Sequence, residues 1–354
     1  MLARVSPTLR RVNASAKEAL MSGSGTLADG GPPPLGLLRA RKRMKDAVRR
    51  FFDQRGFLEV ETPILVPNPG LEVHLDWFEA ELRTPEGARH RRFLHTSPEY
   101  AMKRLLGRGT PSCYQISRVF RNDELSDTHL PEFSMLEFYR RRGRLSEIED
   151  DVLSLIEAVV EAVGGRRPER VIRLSMSEAF LERGLPDPLD LCDAENAAEQ
   201  LGVREVDGDA FDDVLFRAFY EHVEPSWADD ELRVLGGYPS SMAALAEVDP
   251  DDPRRALRSE VFWGKLELGN GYQELVDPVE QRRRLELDLH ERRRRGKAVA
   301  PVDEGFMRGV AAMPPSAGIA VGLDRLFMKV LDRSSLREVV PFAPIRVAST
   351  HGPR

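Results

Sequence analysis

The sequence predicts an α+β fold. Three features point to it: a long amphipathic helix near the start, short β-branched and aromatic segments that follow one another through turn residues without a regular β–α–β alternation, and a helix-rich insertion between them. The helix begins at Leu37. Leu38, Met44, Val48, Phe51 and Phe52 recur at helical spacing among Arg and Lys, and Gly56 supplies a C-terminal stop. Strands are expected at 57–60, 93–96, 113–120 and 133–139, the turns between them favouring antiparallel pairing. A helix is expected at 145–163, a mainly helical insertion at 175–230, and further strands at 232–238, 260–268 and 319–322. No internal repeat is evident, so one domain spanning 37–346 is the simplest division. Residues 1–36 contain Ser22-Gly23-Ser24-Gly25 and Pro32-Pro33-Pro34, too poor in apolar residues to fold alone, and read as a disordered leader; 347–354 is a short tail.

Of 354 residues, 41% are hydrophobic and 31% charged, which suits a large core under a soluble surface. No apolar stretch reaches the roughly 18–20 residues that cross a bilayer, and the Arg-containing start has no apolar signal core, so a cytoplasmic protein with no membrane partner is expected. Cys113 and Cys192 have neither CxxC nor His spacing around them and suggest neither zinc nor a disulfide framework. A net charge of −6 argues against a chain that blankets nucleic-acid phosphate, and the arginine runs at 140–142 and 292–295 read as solvated helix faces.

Four constellations carry chemistry. Phe120-Arg121-Asn122-Asp123-Glu124, followed by His129-Leu130-Pro131-Glu132-Phe133, reads as two strands joined by a polar loop. An arginine there can set its guanidinium fork against a phosphate, and Phe133 offers a flat face to a base. Alone, Arg121 would read as a surface ion pair and Phe133 as core; their joint spacing points to a ligand. Gly318-Ile319-Ala320-Val321-Gly322 alternates small and aliphatic residues before Asp324 and Arg325, so a ligand can lie close to the strand backbone. Glu260, Glu267 and Glu274 stand at seven-residue intervals around Gly269-Asn270-Gly271-Tyr272. On a helix that spacing would be a solvated stripe, but the glycines and Phe262-Trp263 argue for strands and a turn at Gly269–Gly271, where buried acids need partners. Thr96-Ser97-Pro98-Glu99-Tyr100, with Glu137 and Tyr139, adds further polar and acidic positions.

With Arg55-Gly56-Phe57-Leu58-Glu59-Val60-Glu61-Thr62-Pro63, these segments resemble the three ordered motifs of class II aminoacyl-tRNA synthetases over nearly all of 37–346. The resemblance implies that domain, an antiparallel sheet flanked by helices, and a homodimer joined through the first motif. It implies ATP and Mg2+ as cofactors. Arg121 and Arg325 would be catalytic; Arg121, Asn122, Asp123, His129, Leu130, Phe133, Glu267, Leu268, Gly322 and Arg325 would bind ATP; Glu260 and Glu267 would hold the metal. Within the class the glutamates resemble those of lysyl-tRNA synthetases, which implies an amino-acid pocket of Ser97, Pro98, Glu99, Glu137, Tyr139, Asn270, Glu274 and Ala320, with Glu274 receiving the substrate's side-chain ammonium. Leu130 and Asp123 depart from the usual Asn and Glu. Only 36 residues precede the domain and their composition is wrong for an anticodon-binding OB barrel. The whole chain therefore resembles the elongation factor P lysine ligases, which implies activation of (R)-β-lysine or lysine as an adenylate, transfer to a lysine of elongation factor P, and no stable nucleic-acid partner. A truncated lysyl-tRNA synthetase charging tRNA and an inactive ligand-binding regulatory paralogue are the alternatives.

Overall fold

The computed structural model describes residues 34–191 and 193–344; most of the expected leader, Cys192, residues 345 and 346 and the tail lie outside the described residues. The chain runs α1 (Leu35–Asp53), β1 (Leu58–Glu59), β2 (Leu65–Val66), β3 (Phe78–Arg83), β4 (Arg89–Leu94), α2 (Glu99–Gly107), β5 (Cys113–Phe120), β6 (Glu132–Arg141), α3 (Leu145–Val163) and β7 (Arg170–Ser175). The insertion helices α4 (Met176–Leu181), α5 (Ala194–Leu201) and α6 (Phe211–Ala218) follow, then β8 (Glu231–Pro239), β9 (Arg255–Trp263), β10 (Leu266–Gln273), α7 (Pro278–Arg294), α8 (Glu304–Ala312), β11 (Ser316–Gly322) and α9 (Leu323–Val330). Among the described residues no helix is long and apolar enough to cross a membrane.

The eight-stranded sheet has the order β1-β5-β6-β11-β10-β9-β8-β7. The six strands from β5 to β8 pair antiparallel, as expected, whereas the edge strands β1 and β7 join parallel to β5 and β8 and make the sheet mixed. A second, three-stranded antiparallel sheet has the order β2-β4-β3. The expected strand 260–268 is two strands: the chain turns at Gly264, whose φ of +62° is cheap only for glycine, and Gly269 and Gly271 lie inside β10 instead of making the turn.

Alternation assigns the two sheet faces. Tyr114, Leu136, Phe138, Ala317, Ile319, Val321, Val261 and Trp263 point into the main core, where they meet the buried stripes of α1, α3 and α9. The phase of α1 is set by Leu37, Ala40, Met44, Ala47, Val48, Phe51 and Phe52; Leu38 falls off that stripe and is exposed. On the other face the insertion covers the β8–β9 end with a core of its own, in which Leu215, Phe219, Trp227, Leu235 and Phe262 meet. The arginine run at 292–295 is only partly a solvated face. Arg292 is wholly buried, donates to the Glu72, Leu75 and Ala298 carbonyls at 2.7–2.8 Å and lies over the Trp77 ring, and Arg295 pairs with Asp213. Arg140, from the other run, pairs with Asp151 over the Phe57 ring.

Helix α2, which carries the expected Glu99, is seated by close contact with α8. Tyr100 stacks on Phe306 with ring centres 3.9 Å apart, and a Cβ on Gly107 would stand 2.4 Å from the Gly309 carbonyl oxygen. Neither backbone can yield without moving α2. Gly107→Ala is therefore expected to cost about 1–3 kcal/mol, read as a lowered denaturation midpoint; an unchanged midpoint would show that the two helices part freely.

Candidate active site

The uncovered part of the second sheet face forms the floor of a cavity of about 1270 Å³. Register brings distant residues into one row across it: Glu137 on β6 opposes Ala320 on β11, Ala320 opposes Asn270 on β10, and Asn270 opposes Glu260 on β9. Plain alternation would put Glu267 and Glu274 on opposite faces of β10. A bulge between Glu267 and Gly269 inserts one residue and resets the alternation, so Leu268 goes to the core side while Glu267 and Asn270 both reach the cavity.

One end of the cavity is acidic. Ser97, Glu99, Asn270 and Ala320 line it, and Pro98 is buried at the start of α2 without lining it. Directly behind them, Glu137 accepts hydrogen bonds from Ser97 Oγ and the Tyr139 hydroxyl, and Glu274 lies buried beside Gly318. Glu137, Tyr139 and Glu274 thus sit one layer behind the cavity wall. Burial, reinforced by the charge of Glu99, pushes the Glu137 carboxyl up to about 8; burial does the same to Glu274, also to about 8, against the pull of Lys103. One oxygen of Glu274, the residue expected to receive a substrate ammonium, meets Lys103 Nζ at 2.5 Å, and the same nitrogen lies 2.5 Å from Glu99 Oε1.

The other end carries arginines. Arg121 leaves the end of β5, lies with its guanidinium over Phe133 at 5.2 Å, and has a buried Nε without a partner. Arg325, at the start of α9, donates to the carbonyls of Thr128 at 3.1 Å and Glu267 at 2.9 Å and to His129 Nε2 at 2.6 Å, which ties the polar loop to β10. Burial, and then the Arg325 charge, push the His129 imidazole down to about 4, so it accepts that bond as a neutral ring. Phe133, Leu130, Leu268 and Gly322 line this end too, Leu130 and Leu268 with their bulk in the core. Asn122 and Asp123 do not. They form an exposed turn, with Asp123 at φ +62° and Asn122 bridged to Asp76, and the carboxylate that faces the cavity is Glu124.

Lys103 and Arg258 have no role in the sequence reading, and Glu124 appears there only as part of the polar loop. Each had a local signal: Lys103 follows Glu99 by one helical turn, Arg258 precedes Glu260 by two on the same strand face, and Glu124 adjoins Asp123.

The family model described as tRNA synthetases class II (D, K and N) matches residues 35–346. The chain belongs to that family. It is similar to proteins named elongation factor P (R)-β-lysine ligase: 38% identical over 307 residues to that of Haemophilus influenzae strain Rd, covering 86% of this chain and 93% of that one. The Pectobacterium atrosepticum protein of the same name is 38% identical over 315 residues, covering 86% and 94%, and that of Erwinia tasmaniensis 37% identical over 314, covering 86% and 94%.

For a family that works on a nucleotide, the arginine end has the right donors: a buried orphan Nε on Arg121 beside an aromatic face. Among the described residues no three His, Cys, Asp or Glu side chains converge as a metal cage. Glu260 and Glu267 both face the cavity, however, and burial followed by the neighbouring Glu267 charge raises the Glu260 carboxyl even though Arg258 pairs with it at 2.6 Å. Two carboxylates suit magnesium, which takes one or two from protein and fills its shell with water and phosphate oxygens.

The raised carboxyl of Glu137 has a consequence for stability. The folded protein holds this proton up to about 8, whereas an unfolded glutamate releases it near 4.5, so unfolding sheds protons in that window and stability falls as pH rises through it. The wild-type melting temperature should drop between about pH 6 and about pH 8, and Glu137→Gln should flatten that slope; equal slopes in the two proteins would count against the assignment.

Proposed function

We propose that the protein activates a lysine-like amino acid, (R)-β-lysine or lysine, as its adenylate at the expense of ATP and transfers it to a lysine side chain of elongation factor P. The observation that carries the reading is the two-ended cavity: guanidinium groups and an aromatic shelf at one end, a buried acidic cluster at the other, joined by a strand of small residues. The shared name of the relatives supports the acceptor.

In this reading ATP lies with adenine on Phe133 and its phosphates at Arg121 and Arg325, and the amino acid lies along β11 with its ammonium groups toward Glu99, Glu137 and Glu274. A carboxylate oxygen of the amino acid attacks the α-phosphorus in line, the bond from that phosphorus to the bridging oxygen breaks, and pyrophosphate leaves. The nucleophile is already ionised, so no side chain has to remove a proton. Arg121 stabilises the charge on the phosphorus oxygens, and Arg325 holds the polar loop and β10 in register around them. A magnesium ion at Glu260 and Glu267, when bound, would neutralise phosphate charge. The acceptor amine then attacks the acyl carbon, AMP leaves with the electron pair of the mixed-anhydride bond, and the amide sheds one proton to solvent.

The same reading makes the protein a cytoplasmic homodimer, and the exposed Leu58, Ile64 and Leu65 beside the β1 edge of the sheet are apolar surface for such a contact.

Mass spectrometry of elongation factor P after incubation with the protein, ATP, magnesium and either lysine isomer tests the acceptor; labelled lysine recovered on tRNA instead would overturn it. Arg121→Ala should reduce ATP–pyrophosphate exchange at least a hundredfold, in line with loss of one transition-state donor worth about 3 kcal/mol, with the melting curve unchanged. Ala320 bears the one methyl group in the row between Glu137 and Asn270. Ala320→Gly is expected to shift preference from (R)-β-lysine toward L-α-lysine by roughly ten- to a hundredfold, since a methyl-sized change is worth about 1–3 kcal/mol in discrimination; the ratio of exchange efficiencies for the two isomers measures it, and a constant ratio removes Ala320 from the specificity of the site.

A further inference from the structure

We propose that Lys103 is a positioning residue of the amino-acid pocket, a built-in ammonium that clamps Glu99 and Glu274 and sets the pocket's charge for a substrate bearing two ammonium groups. The proposal rests on the lysine-activating reading above. Lys103 is 1% exposed, and its Nζ lies 2.5 Å from one oxygen of Glu99 and 2.5 Å from one oxygen of Glu274. It reaches that point from α2, one helical turn beyond Glu99, and the contact of α2 with α8 fixes it there, with the Phe306 ring 6.0 Å from the ammonium.

The clamp takes one oxygen from each carboxylate and leaves the other. The second oxygen of Glu274 points at Gly318, where a Cβ would approach to 2.8 Å, on the strand whose Ala320 lines the cavity. Glu99 itself lines the cavity. Lys103 thus holds two acceptors within two hydrogen-bond lengths of each other, Glu99 at the cavity wall and Glu274 one layer behind it.

The charge balance agrees. The groups facing Lys103 are Glu99 from α2, Glu137 and Tyr139 from β6, Glu274 beyond the end of β10 and, acting on Glu99 and Glu137, Glu72 and Cys113. Three carboxyl groups surround one ammonium, and the two that burial holds protonated up to about 8 can ionise when a substrate brings further ammonium charge beside them. Burial works against the Lys103 charge, and the carboxylates of Glu274 and Glu99 outweigh it, so its pKa is raised and it stays charged. Without that cation the Glu274 carboxyl would keep its proton to still higher pH, and binding an ammonium would require that proton's removal.

The test compares Lys103→Met and Lys103→Arg with wild type in lysine-dependent ATP–pyrophosphate exchange from about pH 6.5 to about pH 9, a window that spans the raised Glu274 titration, with ATP dependence and melting temperature measured alongside. Lys103→Met should raise the half-saturating lysine concentration at least tenfold at neutral pH, with the deficit narrowing as pH rises and the half-saturating ATP within twofold of wild type. Lys103→Arg keeps a charge on the spot, so it should keep the wild-type pH profile while binding lysine severalfold more weakly. Tighter lysine binding in Lys103→Met would make Lys103 a plug, and a pH-independent loss with unchanged lysine dependence would make it structural; either overturns the proposal. Should Lys103→Met not fold, an unchanged lysine requirement in Lys103→Arg overturns it as well. Wild-type protein that activates neither lysine isomer would remove the reading of the whole site, an outcome distinct from wild-type activation with Lys103 variants that behave alike.

Discussion

Four carboxylates are buried or nearly so around one sheet face, and a buried carboxylate without a partner is worth several kcal/mol of destabilisation. The partners of these four acids answer that constraint. Glu137 accepts from a serine and a tyrosine, Glu274 and Glu99 share the ammonium of Lys103, and Glu260 pairs with Arg258, which also donates to the Met242 carbonyl. Two of these contacts, Ser97 to Glu137 and Lys103 to Glu274, join segments far apart in the chain and so pin the start of α2 to β6 and α2 to the end of β10. Satisfying them fully would leave no site. What remains open, the cavity side of Glu99 and the orphan Nε of Arg121, is where a ligand can supply what the protein does not.

The acids fit together because the neighbouring strand is nearly bare. A Cβ on Gly318 would lie 2.3 Å from the Tyr139 ring, one on Gly269 would lie 2.7 Å from the Ala320 carbonyl, and one on Gly271 would lie 3.0 Å from that of Gly318. These glycines do not serve a left-handed turn; they allow close approach of strands and side chains. The bulge at Leu268 completes the arrangement by letting acids seven residues apart share one face.

That distinction decides how much was legible. Helix α3 falls on the residues expected, 145–163, because its apolar stripe and the αL Gly164 that ends it are local signals. Strand β5 is likewise as read, an uninterrupted run of strand formers between turn residues. The glycines of β10 misled, since glycine near polar residues reads as a turn unless the partner strand is known, and the true turn at Gly264 hid inside an aromatic segment. Strand β3 alternates apolar and charged residues over only six positions, mostly exposed, and α7 buries only Gln281, Leu285, Leu289 and Arg292, so α7 does not announce itself and β3 is too short to stand out. The parallel edges β1 and β7 depend on pairing across long separations that no window of sequence contains. For the site, composition and order pointed to the residue types and their grouping, while Lys103 was passed over because its second partner, Glu274, lies far along the chain.

In the reading proposed above, the two ends of the cavity favour one orientation of the substrate. An amino acid with two ammonium groups is polar along its length, and the floor that joins the ends is a rigid strand with no charge of its own from Gly318 to Gly322. With the carboxylate toward Arg121 every charged group meets its opposite; reversed, the carboxylate would face Glu99, Glu137 and Glu274, and the ammonium groups would face Arg121 and Arg325. Like charges at contact distance near a protein surface repel by about 4 kcal/mol per pair. Because the same groups attract in one orientation and repel in the other, the cavity selects by repulsion as well as by attraction. An apolar amino acid would gain nothing at the acidic end, where Lys103 is the one ammonium among three carboxyl groups, and an acidic one would be turned away there. The orientation that survives is the one that brings a carboxylate to the arginine end, where a phosphate would also be held.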